Sequence, residues 1–210
     1  MAFALAAPAA STAIAEQYSA GSETLIVIVT DYAGTPRCAV QQMRSTMDHL
    51  LSSTGIRMEW VWRSPKEAGV RRPTDQAMAG IPQVLINIVA DKPSYFAKNH
   101  SPLGLMVMGS NHTAIHVTEI QKLAEQLRLE LGQLMAHVAV HEIGHWLLGR
   151  DHATFGIMLK DWGGQDFRMM LRHRVPFSAA QARRIHEELQ NRRARLKESM
   201  ETSGLVAAKE

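Results

Sequence analysis

Short apolar runs in the first half of the chain and helical apolar spacing in the second half predict strands followed by helices. Residues 25–29 form an aliphatic run rich in β-branched side chains, which is typical of a buried strand. Residues 56–62 alternate between apolar and polar side chains, as a half-buried strand does. Similar runs predict three more strands, at residues 83–89, 105–108 and 114–117.

Apolar residues that recur every three or four positions predict two helices before residue 150. The first opens at Pro36 and ends before Gly55, two residue types that suit the first turn and the end of a helix. The second is predicted as one long amphipathic helix over 119–148, with Thr118 and Gln121 as a capping box at its start.

A third helix is expected near the C-terminus. Ser178 and Gln181 have capping-box spacing, and the helix should run through Met200, leaving residues 201–210 as a frayed tail. The whole pattern predicts an α+β fold, in which a mixed sheet of about five strands is backed by helices. The first strand, helix and second strand fit a right-handed parallel crossover. The length favours a single domain over residues 23–200.

The N-terminal segment, residues 1–22, is small and weakly apolar. It contains a small-x-small sequence at residues 13–15, like the back half of a secretory signal, but no Lys or Arg precedes Arg37. We expect either an export signal whose true start lies upstream or a disordered arm. The signal is the favoured interpretation and implies a secreted or periplasmic protein; otherwise the protein is cytoplasmic.

Composition narrows the class of protein. A hydrophobic share of 46% in 210 residues is enough for a sizeable core. The single cysteine, Cys38, rules out an intrachain disulfide and a cysteine-based zinc site, and we expect it to be a small core residue of the first helix. No apolar run approaches the length of a transmembrane helix, so no membrane partner is expected.

The net charge of +3 comes mostly from the last third of the chain. Clustered arginines can bind nucleic acid, but such a run is more often the solvated face of a terminal helix. We therefore expect no nucleic-acid partner. The residues concerned are Arg168, Arg172, Arg174, Arg183, Arg184, Arg192, Arg193, Arg195 and Lys197.

The most specific chemical signal is the sequence His-Glu-Ile-Gly-His that begins at His141. On a helix, His141 and His145 lie about 6 Å apart along the axis and on one face, a spacing at which two imidazoles can share a zinc ion. Glu142 lies beside the metal and can take a proton from water that the metal activates. Gly149 can end the helix, so that the chain turns back and presents His152 as a third ligand.

Other interpretations stay open at this point. A short motif can occur by chance in an ordinary buried helix, although the apolar flanks and the Gly-x-x-His that follows favour a metal site. His137, one turn earlier, could be an alternative ligand, but a hydrogen-bonded helix histidine is favoured; His112 and His116 are expected to be structural or exposed. Carboxylates are rivals of His152 for the third position: Asp151, Asp161, Asp166 and Glu187.

These residues resemble the extended zinc motif of the metzincin clan of zinc metallopeptidases. Ile157-Met158 resembles the Met-turn of that clan, in which a methionine lies beneath three histidines, and the order of strands before the motif also matches. More narrowly, the sequence is similar to a group of mostly uncharacterised, predicted secreted bacterial proteins. One feature departs from the clan: three residues, rather than two, separate His145 from Gly149.

The resemblance implies a zincin fold and a zinc-dependent endopeptidase acting on peptides or proteins, with His141, His145 and His152 as zinc ligands and Glu142 as the general base. Substrate would lie extended along an edge strand, for which residues 105–108 are the candidate. No oxyanion-stabilising residue is evident, because the three tyrosines all precede the motif. The alternative function is a non-catalytic zinc-containing binding protein, which would need a fourth protein ligand and no base.

Overall fold

The computed structural model describes residues 23–69, 78–91, 102–172 and 177–207. The signal-like segment 1–22 lies outside the described residues, as do Tyr18, Tyr95 and Arg174. The export signal and the localisation therefore stay predictions.

A five-stranded mixed sheet forms the centre of the fold, as predicted. The strands follow the order β2-β1-β3-β5-β4; the first four in this order are parallel, and β4 is antiparallel to β5. β4 is shorter than expected because the chain turns at Gly109, which has φ 78°. The strands are β1 (Glu23–Asp31), β2 (Ile56–Arg63), β3 (Gln83–Val89), β4 (Gly104–Met106) and β5 (His112–His116).

Five α-helices complete the described part of the chain, so the predicted α+β class is confirmed. Four of them match predicted helical segments, and one short helix was not expected. The unexpected helix begins where the Asp166 carboxylate accepts a hydrogen bond from the Gly163 N–H at 2.8 Å. The helices are α1 (Arg37–Ser52), α2 (Val117–Leu127), α3 (Leu131–Leu148), α4 (Gly164–Met170) and α5 (Ala179–Ala207).

The prediction of one long helix over 119–148 is wrong, because the chain breaks it into α2 and α3. Arg128 adopts a left-handed conformation with φ 54° and ψ 43°, and its N–H donates to carbonyls of the last turn of α2. The Thr118 capping box is also wrong: α2 begins directly after β5, and the Thr118 N–H donates to the Ala90 carbonyl. Apolar spacing continues through the break, so periodicity alone could not reveal it.

Helix α3 is buried on nearly every side rather than amphipathic. It packs against α1, α2, α5 and the strands β4 and β5. Gly132 allows the closest of these approaches, because a Cβ there would overlap the Ala39 carbonyl oxygen of α1. The helix that carries the histidine motif is thus held by surrounding elements on nearly every side.

Two further expectations differ from the structure. Cys38 is exposed, because the buried face of α1 runs through Ala39 and Met43, and a step of one residue turns the side chain by about 100° towards solvent. Helix α5 has the predicted Ser178–Gln181 capping box, but it extends to Ala207 instead of ending at Met200.

The basic face of α5 is only partly solvated. Arg184 and Arg192 donate hydrogen bonds to carbonyls of α3, while Arg193 and Arg195 lie within salt-bridge distance of glutamates. Several of the clustered arginines therefore make contacts within the fold. No described helix has the length and apolar character needed to cross a membrane.

We expect Gly132→Ala to destabilise the protein. The added methyl group must push α1 and α3 apart, and overpacking of this kind costs between about 1 and 3 kcal/mol. Gly80→Ala is the matched control, because a Cβ there meets only the Met200 sulfur, at 3.9 Å. Urea denaturation of both variants checks this; equal midpoints for Gly132→Ala and the wild type would contradict it.

Candidate metal centre

The His-Glu-x-x-His sequence occupies the last turns of α3, which ends at Leu148 as predicted. His141 and His145 present their rings to the same side, with ring centroids 4.7 Å apart. Because His145 belongs to the last helical turn, the chain leaves the helix directly beside both rings.

The loop after α3 brings His152 to the same place. Its ring centroid lies 4.7 Å from that of His145 and 5.4 Å from that of His141. One ring nitrogen of each histidine lies within 4.8 Å of the other two. In the part of the chain that the structure describes, these three residues form the one cluster able to hold a metal ion.

Gly149 accommodates the extra residue that precedes it. Its backbone has φ 95° and ψ −167°, a conformation that is essentially restricted to glycine. Its N–H donates to the His145 carbonyl, and its own carbonyl lies 3.0 Å from His145 Nδ1. The chain therefore turns sharply at a single residue, and His152 reaches the other two rings despite the longer spacing.

Backbone carbonyls fix the protonation pattern of the two helical histidines. His141 Nδ1 lies 2.7 Å from the Ile157 carbonyl oxygen, and His145 Nδ1 makes the bond to Gly149. A carbonyl can only accept, so both Nδ1 atoms carry a proton, and each ring in its neutral form presents a lone pair at Nε2. The two Nε2 atoms lie 3.0 Å apart. Lone pairs that face each other at this distance repel unless a cation lies between them.

This set of donors fits a zinc ion. Neutral imidazoles are ordinary zinc ligands, and tetrahedral Zn–N bonds of about 2.0–2.1 Å place ligand nitrogens about 3.3 Å apart. Histidines that bind zinc usually donate their other ring N–H to a carbonyl or carboxylate, as His141 and His145 do here. The cluster could therefore hold such an ion, whose charge would offset the repulsion between the lone pairs.

Desolvation favours the neutral form of His141 and His152. Desolvation is the largest reason that the pKa of His141 is lowered to about 4, and the neighbouring His145 and His152 lower it further. The pKa of His152 is also lowered, first by desolvation and then by His145 and Lys160, which outweigh two nearby carboxylates. Near neutral pH, His141 and His152 can thus bind a metal without first losing a proton.

Glu142 lies beside the histidines and is only 8% exposed. Desolvation raises the pKa of its carboxyl group to about 7, although a hydrogen bond from the Met106 backbone N–H opposes this rise. A carboxyl group with a pKa near neutrality can both accept and return a proton. Its environment therefore suits general acid–base chemistry.

Two glycines bring neighbouring elements against the motif. A Cβ at Gly104 would lie 2.8 Å from Cγ of Glu142, so glycine lets β4 lie directly against this face of α3. A Cβ at Gly144, the residue before His145, would overlap the sulfur of Met158. Met158 is buried there, in the segment whose sequence resembles the Met-turn of the metzincin clan.

Gly104 and Met106 are site residues that the sequence analysis did not identify. A glycine at the start of a predicted edge strand was the only sign in the sequence that this strand lies close to Glu142. The bond from Met106 to Glu142 involves a main-chain N–H, which no side-chain motif can indicate.

His141, Glu142 and His152 border a cleft of about 620 Å³. Lys160 and Asp161 lie on its rim, and Trp162 packs edge-on against His141 with ring centroids 5.5 Å apart. Tyr32 is exposed and lines a separate cavity. The apolar lining comes from Pro102, Leu103, Leu123, Val138, Leu159 and Phe167.

The rival third ligands do not join the cluster, which contains histidines only within the described ranges. Asp166 caps α4 through the Gly163 N–H, and Asp151 and Glu187 are exposed. Asp161 borders the cleft without joining the cluster.

The remaining candidate histidines behave as predicted. His137 is buried, and its Nδ1–H donates to the Gln133 carbonyl at 2.8 Å. His116 is buried as well, with Nδ1 2.7 Å from the Pro102 carbonyl oxygen, whereas His112 is exposed.

Comparison with known proteins shows a similarity of fold. The chain matches no protein-family model and no curated protein. It is similar to the solved structure of a zinc-dependent peptidase from Methanocorpusculum labreanum, with 12% identity over 76% of this chain and 99% of that chain and a TM-score of 0.51. A second similar structure, archaemetzincin from Methanopyrus kandleri, has 14% identity over 81% of this chain and 97% of that chain, with a TM-score of 0.49. The first of these similarities shows that the chain shares its fold with a zinc-dependent peptidase, in agreement with the predicted α+β architecture.

We expect Glu142→Gln to stabilise the metal-free protein above pH 7. A glutamate that ionises near 4.5 when unfolded and near 7 when folded loses its proton first in the unfolded state, so the folded state loses stability as the pH rises from 4.5 to 7. The glutamine removes this cost, which amounts to about 3 kcal/mol.

Denaturation of both metal-free proteins at pH 5 and pH 8 measures this effect. The stability gain should be large at pH 8 and small at pH 5, and Glu187→Gln, at an exposed position, should show no such trend. A gain that does not depend on pH would contradict the role of desolvation.

Proposed function

We propose that the protein is a zinc-dependent endopeptidase, with His141, His145 and His152 as zinc ligands and Glu142 as the general base. The observation that carries the proposal is a cluster of three imidazoles, two of them with Nε2 atoms 3.0 Å apart, next to a cleft that the buried Glu142 also lines. The fold, which resembles that of a zinc-dependent peptidase, supports the same conclusion.

The surrounding side chains have distinct roles in this mechanism. When bound, a zinc ion would polarise the scissile carbonyl and acidify the attacking water. Glu142 accepts a proton from that water and passes it to the leaving amine, because its raised pKa allows both steps near neutral pH. The carbonyls of Ile157 and Gly149 hold the rings of His141 and His145 in their orientation.

An extended peptide fits along β4, which lies at the edge of the sheet and next to Glu142. Pairing through main-chain groups binds many sequences, and it would lead the scissile bond past the histidines. Lys160 is the one lysine or arginine among the described residues that line the cleft. Its ammonium group is our candidate for stabilising the carbonyl oxygen as negative charge develops there.

A non-catalytic zinc site is the alternative. Structural zinc sites have four protein ligands, whereas the cluster in the described part of the chain has three. A three-ligand site leaves a position open, and the buried Glu142 beside it has no evident use in a purely structural site. Both features favour catalysis.

Zinc content is the first test. We expect about one zinc per chain in the purified protein, and clearly less in His152→Ala, because three histidine ligands hold a catalytic zinc. His112→Ala, at an exposed position, is the control. Unchanged zinc in His152→Ala would assign the third ligand to another residue; no zinc in the wild type, even after reloading, would refute the proposal.

Glu142→Ala should retain zinc but lose hydrolysis. Removing a general base costs typically about 10²- to 10⁴-fold in rate. Zinc-loaded wild type, Glu142→Ala and the surface control Glu187→Ala would be incubated with denatured casein, and the fragments identified by mass spectrometry. Internal cleavage by wild type and control alone is expected. Full activity of Glu142→Ala would exclude this base, and trimming only from chain ends would exclude an endopeptidase.

A further inference from the structure

The end of α3 is held by a helix that contributes no residue to the metal centre. The last carbonyls of any helix lack partners within the helix and carry partial negative charge. In α3 two of these carbonyls, those of Trp146 and Leu148, accept hydrogen bonds from arginines of α5. These bonds lie in the exit turn, where the chain departs from the metzincin spacing.

Arg192 makes three contacts at once. One guanidinium N–H donates to the Trp146 carbonyl at 2.8 Å, and the guanidinium group lies 4.1 Å from the centroid of the Trp146 ring. Its Nε lies 2.8 Å from a carboxylate oxygen of Glu188, one turn earlier on α5. Stacking and ion pairing both restrict the rotamers of Arg192, so it binds the carbonyl in a fixed geometry.

Arg184 binds a carbonyl that lies nearer in sequence to His152, the proposed third ligand. Its guanidinium donates to the Leu148 carbonyl at 3.0 Å, and Leu148 directly precedes Gly149. The next carbonyl along the chain, that of Gly149, accepts the bond from His145 Nδ1. Two consecutive carbonyls of the exit turn are thus fixed, one by α5 and one by a helical histidine.

We propose that Arg184 and Arg192 are positioning residues of the metal centre, and we call the pair the arginine clamp. By fixing the carbonyls of Trp146 and Leu148, the arginine clamp sets the direction in which the chain leaves α3, and so keeps His152 within reach of the ion. The inference rests on the proposed zinc site. It gives the basic C-terminal helix a function in metal affinity.

The test measures zinc affinity by competition with a chromophoric chelator. Arg184→Ala is compared with Arg183→Ala, its exposed neighbour on the same helix. Partners that orient metal ligands typically contribute about 10- to 100-fold to affinity, so Arg184→Ala should bind zinc at least about 10-fold more weakly than Arg183→Ala. Arg192→Lys keeps the positive charge but loses the planar stacking group, and should also weaken binding.

A double-mutant cycle separates positioning from a general structural role. If the arginine clamp acts through His152, then Arg184→Ala should cause no further loss of zinc affinity in a His152→Ala background. The visible spectrum of cobalt-loaded Arg184→Ala should likewise shift towards that of cobalt-loaded His152→Ala. Circular dichroism and melting of the metal-free variants show whether each one folds.

The experiment distinguishes failure of the proposed function from failure of the arginine clamp alone. A wild type that binds no zinc refutes the proposed function, and the arginine clamp with it. A wild type that binds zinc, with equal affinities for Arg184→Ala and Arg183→Ala or with additive losses in the cycle, overturns the arginine clamp alone.

Discussion

The burial of helix α3 is the constraint on which the rest of this structure depends. A helix surrounded by other elements cannot leave its polar side chains without partners, because an unsatisfied buried group costs about 1–3 kcal/mol. Each polar residue of α3 is accordingly bonded to a main-chain group. Gln133 donates to the Met170 carbonyl, His137 to that of Gln133 and His141 to that of Ile157, while Glu142 accepts from the Met106 N–H. These bonds tie α4, the loop after the motif and β4 to the helix.

Glycines at three positions let neighbouring elements pack closely against α3, which supports its burial. At Gly132, Gly104 and Gly144, α3 meets α1, β4 and Met158 at distances that leave no room for a Cβ. Gly104 brings the edge strand against Glu142, and Gly144 brings Met158 against the helix beside His145. The surroundings of Glu142 and His145 are therefore formed by close approach of the backbone as much as by the histidine motif.

The arrangement of the histidines and Glu142 suits catalysis but is energetically unfavourable in the metal-free protein. Two Nε2 atoms lie 3.0 Å apart, where their lone pairs repel when both rings are neutral, and a carboxyl group lies where desolvation opposes its charge. A bound cation would offset the repulsion between the histidines, so metal binding and folding would be coupled. Sites that hold groups in unfavourable environments commonly trade stability for activity in this way.

The sequence by itself determined the strands, the mixed α+β class and the residues of the histidine cluster. Strand periodicity needs only a few neighbouring residues, and the spacing of His141 and His145 places two rings on one face of any helix. Only the tertiary structure decided the rest. Apolar spacing runs unbroken through the turn at Arg128, Cys38 faces solvent because its helix packs through the next residue, and Gly104 and Met106 approach Glu142 from a distant strand. The chain turns at Gly149 through a glycine-specific backbone conformation, and arginines of α5 donate hydrogen bonds to the last carbonyls of α3. Such contacts join residues far apart in the chain, so no local pattern encodes them.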